Sequence, residues 1–249
     1  MIVFLVPLKS AKVSKSWETT SKIFEKTVRS ICNQNCDKFK LVVICHEKPE
    51  IKFESQFLEY VQVDFPTPEK ESENEYILKR QDKAKKLLIG AEFSKKFNPS
   101  HLMVVDADDF ISNKLAGFVD KNIDKVGYLL DTGYVYESGS SSLYYLRRHF
   151  GNHCGTSIII RPNLFELLFE DGIYEHRGFT LDGSNNTSLI KLPFAGSIYN
   201  RGHGENIFAN RNLGKQFYKD GDFIGYLRHL SRFRLITSSI KKEFDFTSV

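Results

Sequence analysis

Residues 102–109 read LMVVDADD, and this stretch predicts both the class of fold and the place of a site. Four consecutive apolar residues predict a strand that is buried on both faces, as in a parallel sheet covered by helices. The carboxylates that follow, Asp106, Asp108 and Asp109, must leave the core at the carboxyl end of that strand. In open α/β sheets the ligand crevice lies at that end of the strands. We therefore expect the three acids to border a binding site.

Two interpretations of these acids stay open on their own pattern. Carboxylates this close together repel one another unless a positive charge joins them. Mg²⁺ or Mn²⁺ carrying a diphosphate would supply that charge, because these ions take oxygen ligands and share them with substrate phosphates. The alternative is an acidic turn in which one aspartate caps the next helix. A D-x-D pattern is common by chance, so the rest of the chain has to decide.

The composition is that of an ordinary soluble globular protein. The chain has 249 residues, of which 41% are hydrophobic and 27% charged, and its net charge is +4. Acids and bases are interspersed over most of the length, which argues against a dedicated nucleic-acid binder. No segment approaches membrane-spanning length, and the four cysteines form no pair of CxxC knuckles. These features predict a cytoplasmic protein with reduced, structural thiols.

Continuous apolar strands that alternate with helices predict an α/β fold with a mainly parallel, twisted sheet flanked by helices. No linker rich in Pro, Gly or Ser divides the chain, so we expect one domain over residues 1–249. The predicted strands are 2–6, 41–45, 61–63, 102–105, 127–136, 142–148, 156–161 and 195–199. The predicted helices are one that carries Ile23 to Ile31 on one face, one at 74–97 and a short one at 163–169.

This order of features resembles the GT-A glycosyltransferases, and among them the family 2 enzymes that use nucleotide sugars. The resemblance covers about residues 2–206. The segments that carry it are 3–7, 28–34 with 39–44, 80–83, 103–109 and 153–161. It implies a GT-A type of fold with a mixed acceptor-side subregion. Residues 1–110 would then bind the nucleotide sugar, residues 111–210 would hold the acceptor and catalytic groups, and residues 211–249 would form a basic, aromatic, helical segment.

The resemblance implies a donor site built from three parts of the chain. Pro7 and the residues just after it would line the pocket for the nucleotide base. Asp82 and Lys83 would lie near the base or the diphosphate, where a lysine is a point charge suited to phosphate oxygens. An equally open interpretation of Asp82 and Lys83 is a solvated helix face with ordinary ion pairs.

For the metal, the resemblance implies that Asp108 binds the cation directly, while Asp106 contacts ribose or sugar. Asp109 would assist Asp108 or substitute for it. His203 lies between two glycines, which let the backbone approach a ligand closely, and it would complete a site for Mn²⁺ more readily than for Mg²⁺. A turn histidine on the surface is the alternative. Arg201 would contact the diphosphate or form a structural ion pair.

Inverting transfer needs a general base that takes the proton of the acceptor hydroxyl. In the resembling family this base is an acid after the segment 153–161, which here is Asp182. The family usually has a Glu-Asp pair where this chain has Leu181 and Asp182. Asp171 and Glu175 are fallback candidates, and a helix cap is the alternative role for Asp182.

The resemblance thus implies a metal-dependent, inverting transferase that moves a hexose from a UDP- or GDP-sugar to a carbohydrate or lipid-linked hydroxyl. A sugar-phosphate nucleotidyltransferase is less compatible, because residues 8–12 hold lysines but none of the glycines of a phosphate loop. A binding module that has lost catalysis is the non-enzyme alternative. The basic, aromatic stretch 216–246 would either pack on the domain or touch an anionic membrane surface.

Overall fold

The apolar runs of the sequence form the strands of two main sheets. The protein is described by a computed structural model over residues 1–69, 73–176, 189–205 and 223–246. In the first 111 residues the strands are β1 (Ile2–Pro7), β2 (Phe39–Cys45), β3 (Leu58–Gln62), β4 (His101–Val104) and β5 (Phe110–Ile111). The later strands are β6 (Gly127–Leu129), β7 (Gly133–Glu137), β8 (Ser142–Leu146), β9 (Ile158–Ile160), β10 (Phe169–Glu170), β11 (Ile173–Tyr174), β12 (Ile190–Lys191), β13 (Ser197–Arg201) and β14 (Phe233–Leu235).

The larger sheet has seven strands in the order β12-β6-β9-β4-β1-β2-β3. The pairs β1–β2, β1–β4, β2–β3 and β6–β12 are parallel, and only β9 runs against its neighbours β4 and β6. The second sheet has five strands in the order β14-β8-β7-β13-β5 and is mixed. The predicted α/β class and the mainly parallel sheet are confirmed.

Helices cover both faces of the larger sheet, as the continuous apolar strands predict. Those helices are α1 (Trp17–Cys32), α2 (Glu75–Ser94) and α3 (Leu115–Lys121), whereas α4 (Phe223–Leu230) and α5 (Ser238–Phe244) contact the second sheet. Alternate residues of β1 point to opposite faces, so Phe4 lies in the core with α1, and Leu5 lies in the core with α2. Short 3₁₀ helices occur at Lys95–Phe97, Phe150–Asn152 and Pro162–Leu168.

The predicted single strand at 127–136 is wrong, because the chain changes sheets within it. β6 belongs to the larger sheet and β7 to the second sheet, and Asp131 lies in the break between them. Its carboxylate accepts the backbone N–H of His149 at 2.9 Å and pairs with Lys191 at 2.8 Å. These partners come from distant parts of the chain, so the local apolar pattern gave no sign of the break.

The C-terminal segment predicted to be helical contains a strand as well. In its described part, 223–246, β14 lies between α4 and α5 and pairs with β8 at the edge of the second sheet. Phe244 and Phe246 are buried against Tyr136 and Phe110, which fixes this end of the chain to the second sheet. None of the helices in the described ranges is both long and apolar enough to cross a bilayer.

Candidate functional site

The acidic turn lies where the two sheets meet. β4 continues its pairing with β1 through the N–H of Val105, which donates to the carbonyl of Leu5 at 2.9 Å. The chain then turns, with the N–H of Asp109 donating to the carbonyl of Asp106 at 3.1 Å, and enters β5 of the second sheet. The acids therefore emerge at the carboxyl ends of the parallel strands β1 and β4, as the sequence predicts.

Asp109 differs from the expectation that it assists or replaces Asp108, because it is fully buried within the protein. Its carboxylate accepts hydrogen bonds from the hydroxyl of Thr156 at 2.6 Å, the thiol of Cys154 at 3.1 Å and the N–H of Asn200 at 3.1 Å. Burial, with the nearby charges of Asp108 and Asp106, raises the pKa of Asp109 well above its usual range. Asp109 thus ties the turn to β13 and to the loop before β9.

A cavity of about 270 Å³ opens beside the turn. It lies at the carboxyl ends of β1 and β4 and is bordered by α2, by the loop after β1 and by the loop after β13. Six of the residues singled out in the sequence line it, namely Pro7, Asp82, Lys83, Asp106, Asp108 and His203. The fold therefore brings together residues that come from four separate segments.

Asp108 and His203, from distant segments of the chain, meet on the cavity wall. His203 Nε2 lies 2.9 Å from Asp108 Oδ2, although the residues are 95 positions apart in sequence. The histidine follows β13 and is almost fully buried, and both neighbouring glycines adopt positive φ values, 81° at Gly202 and 83° at Gly204. The backbone N–H of Glu205 points at Nδ1 at 3.3 Å, so both ring nitrogens have polar neighbours that hold the ring in place.

Asp108 and His203 fit a metal site that water and phosphate oxygens complete, but not one made of protein ligands alone. Over the part of the chain that the structure describes, no cluster of three or more His, Cys, Asp or Glu side chains is arranged to hold a metal ion. An all-protein metal cage is therefore a poor fit. Mg²⁺ and Mn²⁺ that act on phosphates are commonly held by one or two protein ligands, and water and phosphate oxygens complete the shell. Asp108 with His203 matches that arrangement, and an imidazole favours Mn²⁺.

Asp106 is held in place by Lys83 and by the loop before β9. The ammonium of Lys83 pairs with Asp106 Oδ1, and the N–H of Asp106 donates to the hydroxyl of Thr156 at 2.9 Å. Gly155 lies against this pair, since a Cβ there would be 2.8 Å from Asp106 Oδ2 and 3.2 Å from Lys83 Nζ. The Tyr174 hydroxyl donates to the Gly155 carbonyl at 3.2 Å. Only a residue without a side chain allows this approach.

For a nucleoside diphosphate bound in this cavity, we expect Gly155→Ala to lower its affinity about tenfold while the protein stays folded, because the new methyl group displaces Asp106 or Lys83 from the cavity wall. Calorimetric titration with a nucleoside diphosphate measures this change. Gly117→Ala in α3 is the matched control, since its Cβ would make only an ordinary contact, 3.6 Å from Cys36 Cβ. Equal affinities of the two variants would contradict this role of Gly155.

Asp82 and Lys86 form a buried ion pair at the base of the cavity. Their side chains are 10% and 1% exposed, and Lys86 Nζ lies 2.8 Å both from Asp82 Oδ2 and from the carbonyl of Leu8. Burial lowers the pKa of Lys86, and the neighbouring carboxylate of Asp82 opposes that shift. The other oxygen of Asp82, Oδ1, is buried and has no hydrogen-bond partner among the described residues.

Glu205 joins the two loops that border the cavity. Its carboxylate pairs with Lys9 and accepts the backbone N–H groups of Lys15 at 3.3 Å and Ser16 at 3.0 Å. Burial alone would raise the pKa of Glu205, but Lys9 and the two N–H groups hold it below its usual value. The loop after β1 is thereby fixed to the segment that carries His203.

Sequence reasoning missed several groups that line the cavity. Besides Lys83, its cations are Lys9, Lys15, Lys79 and Arg80, and its other polar rings are His153, His176, Tyr174 and Tyr199. Tyr76, Arg80 and Lys83 recur on one face of α2 at helical spacing, and this polar stripe was a readable signal. The lining groups that come from loops gave no such signal in the sequence, because their positions depend on the folded chain.

The remaining predicted residues lie elsewhere. Arg201 is outside this cavity, and its Nε lies 3.2 Å from Glu137 Oε2. Of the two roles that the sequence allowed for Arg201, the structure thus has the ion pair. Asp171 is in the exposed turn between β10 and β11, and Glu175 pairs with Arg80 at 2.7 Å. Asp182 lies outside the described residues.

No protein-family model matches this chain, and no curated protein matches it. Among solved structures it is similar to a crystal structure of S. aureus TarS 1-349, with 12% sequence identity and a TM-score of 0.46 over 80% of this chain and 60% of that one. A second crystal structure of S. aureus TarS gives 13% identity and a TM-score of 0.46, covering 80% of this chain and 36% of that one. The chain thus spans less than two thirds of either TarS chain, and a likeness of this degree carries no conclusion about activity.

Proposed function

We propose that this chain is a metal-dependent glycosyltransferase of GT-A type that moves a hexose from a UDP- or GDP-sugar to a hydroxyl of a carbohydrate or lipid-linked acceptor. The observation that carries the proposal is the contact of Asp108 with His203, at 2.9 Å, on the wall of a cavity that also holds Asp106 and the cations of α2. A carboxylate and an imidazole beside several cations form a site suited to a divalent cation and a diphosphate.

The polar groups of the cavity support recognition of a nucleotide donor. Lys83, Arg80 and Lys79 line one wall, where they would balance the charge of a diphosphate. Asp82 Oδ1, which is buried and has no partner among the described residues, would accept a hydrogen bond from a ring N–H of the base if the ligand displaced the atoms that cover it; uracil and guanine both carry such an N–H. Pro7 lines the same cavity and would contact the base through its apolar ring.

Asp108 and His203 would hold the cation, and Asp106 would bind hydroxyl groups of the ribose or the sugar. When bound, Mn²⁺ or Mg²⁺ offsets the negative charge that builds up on the departing nucleoside diphosphate. Lys83 would keep the Asp106 carboxylate turned toward the ligand, because the two side chains already pair in the cavity wall. We also propose a cytoplasmic location, on the composition and low cysteine content of the sequence.

Asp182 remains our proposal for the general base of an inverting reaction. We expect Asp182→Asn to lower turnover about 100-fold or more while leaving the affinity for the sugar nucleotide unchanged, since an amide cannot take the acceptor's proton. Initial rates and donor binding, measured on the same preparation, separate the two effects. Asp124→Asn is the control, because Asp124 is an exposed acid outside the cavity. Unchanged turnover in the Asp182 variant would remove this residue from the mechanism.

A product assay tests the proposed reaction class. The protein is incubated with Mn²⁺, a panel of UDP- and GDP-sugars and a library of glycan acceptors, and the products are resolved by mass spectrometry. Release of a nucleoside diphosphate together with a glycosylated acceptor supports the transferase. Formation of a sugar nucleotide and pyrophosphate from a nucleoside triphosphate and a sugar phosphate would instead establish the nucleotidyltransferase. Donor binding without any product would instead support a binding module that has no catalytic activity.

A further inference from the structure

Helix α4 has an unusual surface for a helix of a globular domain. Six of its eight residues are exposed, although such helices normally bury their apolar stripe. The most exposed apolar side chains are Phe223 at 70% and Ile224 at 61%, and Leu235 in the following strand is exposed at 76%. We call the exposed face of α4 and β14 the C-terminal surface. An apolar face of this kind marks a site of interaction with a partner or a membrane.

The C-terminal surface is fixed to the rest of the protein by its inner side. His229 is the buried residue of α4, and its Nδ1 lies 3.0 Å from the hydroxyl of Tyr144 in β8. Phe233 packs its ring edge-on against the Tyr144 ring, with the centroids 5.3 Å apart. Since β14 also pairs with β8, the outer face of α4 has a fixed orientation and presents its apolar side chains outward.

The charged side chains of residues 223–242, which include α4 and β14, all have one sign. Residues 223–242 contain no Asp or Glu, and their cations are Arg228, Arg232, Arg234, Lys241 and Lys242. Arg147 and Arg148 follow β8 and are exposed beside the same edge, because β8 and β14 pair in register from Phe233 with Tyr144. Apolar side chains bordered by arginines match an anionic lipid surface, which offers an apolar acyl region and negatively charged headgroups.

We propose that the C-terminal surface binds a membrane that carries anionic lipids. Its aromatic and aliphatic side chains enter the headgroup region, and its arginines pair with lipid phosphates. A second copy of the chain is a poorer occupant, because a symmetric contact would bring the same arginines face to face. Nucleic acid would pair with the arginines but would leave Ile224 and Leu235 exposed to water. The residues of this surface do not line the cavity, so the inference does not depend on the proposed reaction.

Vesicle flotation tests the proposal with the full chain. We expect binding to vesicles of phosphatidylcholine with phosphatidylglycerol, and binding at least about tenfold weaker to phosphatidylcholine alone. High salt weakens the first interaction, since it screens the arginines. The variant with Arg228, Arg232 and Arg234 all changed to Gln partitions about 100-fold less, because each such charge contributes about fivefold.

A matched control removes the same amount of charge elsewhere. Lys95, Lys121 and Lys125 are outside the C-terminal surface, and changing all three to Gln leaves vesicle binding within about twofold of the wild type. A separate variant, Ile224→Ser with Leu227→Ser, lowers vesicle binding by removing apolar contacts only. Circular dichroism verifies that each variant is folded.

Three results would overturn the proposal. The first is equal binding of the wild type to the two kinds of vesicle, or binding to neither. The second is wild-type binding by the arginine variant. The third is a dimer in analytical ultracentrifugation that the Ile224 and Leu227 changes dissociate, which would assign the surface to contact between copies of the chain.

Discussion

Asp108→Ala is expected to lower the Mn²⁺-dependent affinity for UDP or GDP by about 100-fold or more. Side chains that only orient a metal ligand already contribute about 10- to 100-fold to metal affinity. Asp108 is one of two proposed direct ligands, so we expect its loss to weaken binding at least as much. Without its carboxylate, His203 alone cannot hold a cation against the diphosphate. Calorimetric titration with each nucleotide, with and without Mn²⁺, measures the loss.

The matched control for this variant is Asp124→Ala. Asp124 is an exposed acid in the same half of the chain, outside the cavity, and it pairs only with its neighbour Lys125 among the ion pairs of the described residues. His203→Gln should lower affinity more with Mn²⁺ than with Mg²⁺, because an imidazole is a better ligand for Mn²⁺. Wild-type affinity in Asp108→Ala, or an equal fall in the Asp124 control, would contradict the metal assignment.

The second large effect is on stability. Asp82→Ala is expected to lower the free energy of unfolding by about 3–5 kcal/mol, because it leaves the ammonium of Lys86 buried with only the carbonyl of Leu8 as a partner. The change is measured by urea unfolding. Lys86→Met combined with Asp82→Leu should recover part of the loss, since apolar side chains of similar volume need no charged partner.

The pair of Glu75 and Lys79 provides the control within the same helix. It has the same spacing in sequence, but its side chains are about one third exposed, at 32% and 30%. We therefore expect Glu75→Ala to lower the free energy of unfolding by no more than about 1 kcal/mol. Equal losses in Asp82→Ala and Glu75→Ala would show that burial of the first pair has no energetic consequence.

The pH dependence gives an independent check of the same pair. Burial lowers the pKa of Lys86 and Asp82 opposes this, so loss of Asp82 lowers the pKa further. A lysine with a lower pKa in the folded state loses its proton there first, and the unfolded chain then holds more protons. Stability consequently rises with pH between the folded and unfolded pKa values. The deficit of Asp82→Ala should shrink as the pH approaches the pKa of unfolded lysine.

The sequence predicted those features that a short local pattern determines. Continuous apolar runs predicted β1, β2 and β4 and the mainly parallel sheet, because strands covered on both faces have no polar side. The emergence of Asp106 and Asp108 at the edge of the sheet followed from their position directly after β4. The meeting of these acids with His203 was implied by the resemblance to GT-A enzymes, and spacing alone would not have given it.

Other features depend on partners that are remote in sequence. Asp109 has the same residue type as Asp108, but its hydrogen bonds to Thr156, Cys154 and Asn200 turn it inward. The break around Asp131 likewise depends on remote partners. β14 forms only because β8 offers it an edge. The polar face of α2 was readable in principle, whereas the cations of the loop after β1 reach the cavity only in the folded chain.

The most direct test of the central claim is the position of Mn²⁺ in a crystal of the protein grown with Mn²⁺ and UDP or GDP, located by its anomalous scattering. We expect one strong peak between Asp108, His203 and the diphosphate oxygens, with the base near Asp82 and Pro7. A nucleotide bound in the cavity with Mn²⁺ elsewhere, or Mn²⁺ and nucleotide both bound away from Asp108, would contradict it.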